Sequence, residues 1–265
     1  MSAGGFVVSL VERGVPVQIE GRTLSLVIRE AVARTWFLAS WPFGLWTGQP
    51  EIGGPPTFRK SPPILMLPGY GQNRSSLVWL RRFLLARGFR WVWAVNHPRR
   101  NASLAERAAS LGRRVAELKA ATGADQVDLI GHSMGGLVAA WYCQRLGGQE
   151  HVRRLVTIGT PWRGTRLAVL APAPVAHELL YGSHVLDGLA PPGVSAVSIW
   201  SPDDPIVVPA QSAVADGVES VRVDSAGHHE LLVSGRVFRA VLAALKHAPV
   251  RTRPDPEPEP PQEGA

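Results

Sequence analysis

Gly131-His132-Ser133-Met134-Gly135-Gly136 decides how this chain reads. The stretch follows an apolar run, Val127 to Ile130, and opens a helical one, Leu137 to Arg145. A serine flanked by such glycines at a strand-to-helix junction sits on a turn too sharp for bulky neighbours. The turn lifts the hydroxyl clear of the backbone. The free N–H groups of the new helix then point at any negative charge that develops beside it. That geometry suits a nucleophile attacking a carbonyl. The pattern also recurs by chance in glycine-rich chains, so its surroundings must carry the argument.

A serine hydroxyl is a weak nucleophile until a base takes its proton, and the base needs a carboxylate to orient it. In strand-turn-helix machinery these partners follow in the order acid, then histidine. Downstream, Val197-Ser198-Ile199-Trp200 reads as a buried strand ending in Ser201-Pro202-Asp203-Asp204-Pro205-Ile206-Val207, a turn with adjacent carboxylates. A β-like run from Val218 to Val223 leads to Asp224-Ser225-Ala226-Gly227-His228-His229. Each candidate stands just past the carboxyl end of a strand, where open α/β sheets place their ligands. The residues alone leave Asp203 or Asp204, and His228 or His229, open.

Set in order, these pieces resemble the α/β-hydrolases, and within them the bacterial lipases and esterases. The matching motifs span about residues 62–245. They are Leu67-Pro68-Gly69-Tyr70-Gly71, the serine turn, Ile158-Gly159-Thr160-Pro161-Trp162-Arg163-Gly164-Thr165, Asp204-Pro205-Ile206-Val207, and Gly227-His228-His229-Glu230-Leu231-Leu232. The resemblance implies Ser133 as nucleophile, Asp204 as orienting acid and His228 as base. It prefers Asp204 because an apolar pair follows one residue later, and His228 because it directly follows glycine. Asp203 and His229 are then expected to cap turns or face solvent. The resemblance also implies the backbone N–H groups of Tyr70 and Met134 as oxyanion donors, each worth about 10²–10³ in rate in such sites. Pro68-Gly69 departs from the His-Gly common in lipases, which removes a side chain that could steady that loop.

Other chemistries are excluded at the same positions. Serine at the turn rules out a carboxylate nucleophile, and Gly136 occupies the place a Ser-x-x-Lys acylase needs for lysine. No His/Cys cluster has zinc spacing and no Asp-rich loop suggests calcium, so neither metal nor cofactor is expected. The single cysteine, Cys143, reads as a buried structural thiol on the helix after the serine.

At 265 residues the chain fits one domain with a sizeable core. Apolar runs alternating with amphipathic ones predict an α/β fold, a mostly parallel sheet with helices on both faces. Leu104, Ala108, Leu111, Val115 and Leu118 recur at helical spacing with Arg113 and Arg114 outward, and Phe89 to Val95 reads as a strand covered on both faces. The expected organisation is an N-terminal extension over residues 1–60, the hydrolase-like domain over 61–247, and a Pro/Glu-rich, disordered tail over 248–265.

The formal charge is +7, almost wholly from scattered arginine pairs rather than a stripe with stacking aromatics, so a nucleic-acid partner is not expected. Met1 to Val11 lacks the features of a signal peptide, and Pro42 and three charged residues interrupt the apolar stretch 23–46. A cytoplasmic location, or one peripheral to a membrane, is the expectation. Trp36, Trp41, Phe43 and Trp46 offer a peripheral membrane contact through residues 23–46, with packing on the domain as the alternative.

Residues 162–194 form the one long insertion in the matched region, apolar and proline-broken. The resemblance implies that it walls an acyl pocket, with Trp162, Leu167, Leu180, Val185 and Leu186 as lining; completing the core is the alternative. His177 and His184 are expected at the surface or pocket rim. The predicted function is hydrolysis of apolar carboxylic esters or lipids through an acyl-enzyme. Acyl transfer on the same residues, or a catalytically silent membrane-associated fold, are the alternatives.

Overall fold

The computed structural model describes residues 24–45, 61–98, 101–171 and 174–246. Trp46 and the tail over 248–265 lie outside the described residues. After helix α1 (Leu24–Ser40) the chain alternates strand and helix. Strand β1 (Ile64–Leu67) is followed by α2 (Val78–Ala86), β2 (Val92–Ala94), α3 (Leu104–Thr122) and β3 (Val127–His132). Then come α4 (Met134–Arg145), β4 (Val152–Ile158), the short α5 (Pro174–Glu178), β5 (Ser195–Trp200), β6 (Glu219–Arg222) and α6 (Gly235–Lys246).

The six strands form one sheet in the order β2-β1-β3-β4-β5-β6, and every neighbouring pair is parallel. The chain steps outward from β1 to β2, then returns past β1 to lay down β3. The direction of winding therefore reverses between β1 and β3, and the crevice beyond their carboxyl ends is where such sheets receive ligands. Leu67 ends β1 and His132 ends β3, so Pro68–Gln72 and Ser133 both open onto it.

The two-residue period of the strands sorts their side chains into two apolar layers. Leu65, Leu67, Leu129 and Leu155 join Leu111 and Val115 of α3 and Leu137 and Val138 of α4 on one face. Ile64, Met66, Ile130 and Val156 join Leu80 and Leu84 of α2 and Val237 and Val241 of α6 on the other. Ala33 and Phe37 of α1 pack into that second layer. Local sequence fixes α3 at both ends. Ser103 and Glu106 form a reciprocal capping box, and Gly123 closes the helix at φ 68°.

The ends of the sheet differ from the sequence expectation. Only Val92 to Ala94 pair, because β2 is the border strand and Trp91 and Trp93 stay half-buried. The run from Val218 to Val223 pairs over Glu219–Arg222, an opposite border strand with three of its four side chains exposed, which discourages edge-to-edge pairing.

One charge is buried inside β3. Asp128 is fully buried and takes a bidentate ion pair from Arg153 at 2.8 and 2.5 Å. Burial raises its carboxyl above the ordinary carboxylate range despite the pull of Arg153. Arg153 also donates to the Leu245 carbonyl at 3.0 Å, and Arg154 donates to that of Ala244, so both guanidinium groups close the carboxyl end of α6. Asp128→Ala leaves the half-buried Arg153 guanidinium without its counter-charge and is expected to destabilise by up to about 3 kcal/mol, read as a lowered urea midpoint. An unchanged midpoint would show that the pair is dispensable.

Candidate active site

Ser133 takes φ 53° and ψ −123°, a region that non-glycine residues enter only when their surroundings force it. Here the surroundings are backbone pressed against backbone. A β-carbon on Gly131 would lie 2.4 Å from the Gly136 nitrogen, and one on Gly135 would lie 2.6 Å from the carbonyl oxygens of Leu67 and Pro68. One on Gly136 would meet Thr160 Oγ1 at 2.1 Å. The Ser133 N–H donates to the Ile158 carbonyl at 2.8 Å and its carbonyl accepts from Thr160 Oγ1 at 3.0 Å. The turn is therefore clamped to β1 and β4 together. Met134 is the first residue of α4, so its N–H has no partner within the helix.

Asp204 and His228 meet across the ends of β5 and β6. Asp204 Oδ2 lies 2.6 Å from His228 Nδ1, and both residues are buried. Asp204 Oδ1 accepts the N–H groups of Ile206 and Val207 at 2.8 and 3.0 Å, which fixes the carboxylate's orientation. Burial pulls the His228 imidazole down, but the charge and hydrogen bond of Asp204, and the more distant Glu30, outweigh it and hold it above the ordinary histidine value. Asp203 braces the next loop instead, accepting the Ser225 N–H at 2.8 Å.

Ser133 and His228 are tied through the residue between them in space. His132, fully buried beside the serine, lies against His228 with ring centroids 4.7 Å apart and planes tilted by 46°, and its Nε2 lies 3.2 Å from the His228 carbonyl oxygen. No hydrogen bond among the described residues joins the Ser133 hydroxyl to the His228 ring. The loop after β1 closes the remaining side. Gly69 N–H donates to Gln72 Oε1 at 3.1 Å, and the Pro68 carbonyl lies 2.8 Å from His97 Nε2. A glutamine and a distant histidine thus steady the loop that carries Tyr70, with proline where lipases commonly have histidine.

A model of the alpha/beta hydrolase fold matches residues 62–182, from just before β1 into the insertion. With the all-parallel six-stranded sheet, this match supports assigning the chain to the α/β-hydrolase superfamily. A mature Bacillus licheniformis lipase superposes with a TM-score of 0.65 at 16% identity, over 75% of this chain and 99% of that one. Lipase B of Aspergillus fumigatus gives 0.63 at 16% identity over 94% of this chain and 64% of its own, and a Listeria innocua protein gives 0.54 at 18% over 72% and 96%. At such identities the likeness speaks for the fold.

The insertion does two things. Val175, Leu179, Leu186 and Leu189 are buried in the α3–α4 layer, and Trp162 joins them with its indole N–H donating to Ser198 Oγ at 3.3 Å. Trp162 and Leu186 also border a cleft of about 340 Å³ with Arg163 and Tyr181. Leu180 and Val185 pack against the same layer, and Leu167 is half-buried. Ser133 and His228 do not line that cleft. His177 and His184 are exposed. Cys143 is buried, and desolvation pushes its thiol up to about 12.

The sequence reading missed Glu30. From α1 it reaches His229 Nδ1 at 2.6 Å and accepts the backbone N–H groups of His229 and Glu230 at 2.9 and 3.0 Å. Arg29 adds a 2.6 Å pair to Glu230, whose other oxygen accepts the Gly227 N–H. Burial pushes the Glu30 carboxyl up, yet its bonds to His229 leave it below the ordinary value. His229 is therefore paired and half-buried, where the sequence suggested a cap or an exposed ring. Some 199 residues separate it from Glu30, so no local pattern announces the contact. Because the Glu30 charge adds to that of Asp204 in raising His228, Glu30→Gln is expected to move the His228 titration midpoint to lower pH, followed by imidazole NMR shifts. A midpoint that stays or rises would show that Glu30 exerts no such pull.

Proposed function

We propose that this protein is a serine hydrolase of carboxylic esters with apolar acyl groups, working through an acyl-enzyme. The observation that carries this reading is the strained Ser133 turn at the winding reversal, beside a buried Asp204–His228 pair. Ser133 Oγ attacks the ester carbonyl while His228 Nε2 takes its proton. The proton then passes to the departing alcohol, and water repeats the sequence to release the acid. Asp204 holds Nδ1–H and stabilises the imidazolium. The N–H groups of Met134 and Tyr70 receive the oxyanion. Hydrogen bonds of this kind often tighten only once substrate is in place, which accommodates the Ser133–His228 spacing.

Support for ester substrates comes from the lipases that share the fold. The base must be neutral to act, so activity rises as pH climbs through the His228 value. With that value raised, the limb falls above the ordinary histidine range near about 6.5.

Ser133→Ala is expected to lower turnover of p-nitrophenyl esters, assayed from acetate to palmitate, by on the order of 10⁴–10⁶. The wild type should also be labelled by a fluorophosphonate and the variant should not. Undiminished hydrolysis by the variant would overturn the nucleophile. Failure of the wild type to label or hydrolyse would overturn the enzyme reading.

A further inference from the structure

The outward side of α1 is left without a role in the fold. Nine of the fourteen large apolar side chains exposed among the described residues lie on α1, the turn over Trp41–Leu45, and Trp79 of α2. The inward side of the same helix is already apolar, with Leu26, Ala33 and Phe37 buried. A helix on a water-facing surface would show polar residues opposite that stripe. The exposed residues are also continuous. Trp36 and Trp79 rings lie 5.8 Å apart, and Trp36, Phe43, Trp79 and Trp93 border a groove of about 500 Å³. Single exposed apolar residues are ordinary, whereas a connected patch marks a contact surface.

The turn is held rigidly to present it. Asn73 donates to the Trp41 carbonyl at 2.7 Å and Asn96 to the Gly44 carbonyl at 2.8 Å, while Phe43 stands 80% exposed. Charge identifies what the surface meets. Residues 24–45 and 74–93 contain seven arginines and one acidic residue, Glu30, against a formal +7 for the whole chain. Glu30 is turned inward onto His229. Arg74, Arg81 and Arg82 border the groove itself, and the Arg82 guanidinium lies 5.5 Å over the Trp79 ring.

Other occupants fit less well. A second copy docking by twofold symmetry would bring this arginine-rich face against itself. Residues 1–23 balance two glutamates with two arginines, and 46–60 carry one glutamate against Arg59 and Lys60. The stretch 248–265 is acidic but has one large apolar residue, Val250. An anionic lipid surface supplies both requirements, an apolar layer for the rings and phosphates for the guanidinium groups. No described helix is long and apolar enough to cross a membrane, which leaves α1 to lie along the surface.

We propose that the outer face of α1, its following turn and Trp79 seat this protein on anionic bilayers, with α1 in the interfacial plane. Adsorption needs no hydrolysis, so this inference stands apart from the function proposed above. The test is flotation of the full chain with vesicles of phosphatidylcholine, alone or mixed with phosphatidylglycerol. The protein is expected to float with the anionic vesicles and to be released by high salt. Val32→Glu/Leu38→Glu/Phe43→Glu alters three side chains that are 64%, 68% and 80% exposed, and should reduce flotation about tenfold or more with the circular-dichroism melt and soluble-ester hydrolysis retained. If that variant melts early, Arg34→Glu/Arg82→Glu should lower flotation about tenfold. Overturning results are a wild type that stays with the unbound fraction, a folded apolar-face variant or charge-reversed variant that floats undiminished, or a dimer by light scattering that the triple substitution dissociates without lipid binding.

Discussion

Backbone pressed on backbone at the end of β3 is the constraint from which the rest follows. Gly131, Gly135 and Gly136 each sit where a β-carbon would overlap main chain or a fixed hydroxyl, so α4 can start directly against the β1 loop. That closeness forces Ser133 to its strained φ and turns its side chain away from the packed layers. It also sets Met134 N–H beside the crevice between β1 and β3. A few tenths of a kilocalorie in local propensity could not hold such a conformation. Two apolar layers and a fully paired central sheet can.

Around this point the protein builds a chain of polar contacts that runs through the molecule. Gln72 braces the β1 loop and touches His132; His132 touches the carbonyl and ring of His228; His228 pairs with Asp204. Its neighbour His229 pairs with Glu30 on α1. His132 lies in a buried position next to other imidazoles, so burial first, and the neighbouring charges second, keep it well below the ordinary histidine value. It remains neutral while His228 is held toward the charged form. Adjacent histidines thus have opposite electrostatic tasks, set by which carboxylates reach them.

Much of this was legible in the amino-acid order because it is local. The glycines around Ser133, the turn at Asp204 and the glycine before His228 each signal themselves within six residues, and strand-then-helix alternation placed them at strand ends. What stayed hidden was contact across long sequence distance. Asp128 sits inside a run that reads as apolar, and only the approach of Arg153 from β4 makes its burial tolerable. Residues 24–40 left membrane contact and packing on the domain both open, because their apolar pattern has two sides. Glu30 shows which side faces the domain, and nothing near it in sequence names His229 as its partner. Phe89 to Val95 promised a longer strand than β2, since hydrophobicity does not distinguish a border from an interior position.

The way α6 ends has a consequence for how the chain matures. Arg153 and Arg154 leave β4 with guanidinium groups that donate to the carbonyls of Leu245 and Ala244, among the last described residues. Arg153 is also the counter-charge of Asp128, in the strand leading into the serine turn. The Asp128–Arg153 pair lies wholly within β3 and β4, whereas the carbonyls of Leu245 and Ala244 are present only once α6 is in place. A polypeptide truncated before α6 therefore lacks the main-chain acceptors that these two guanidinium groups use at its carboxyl end.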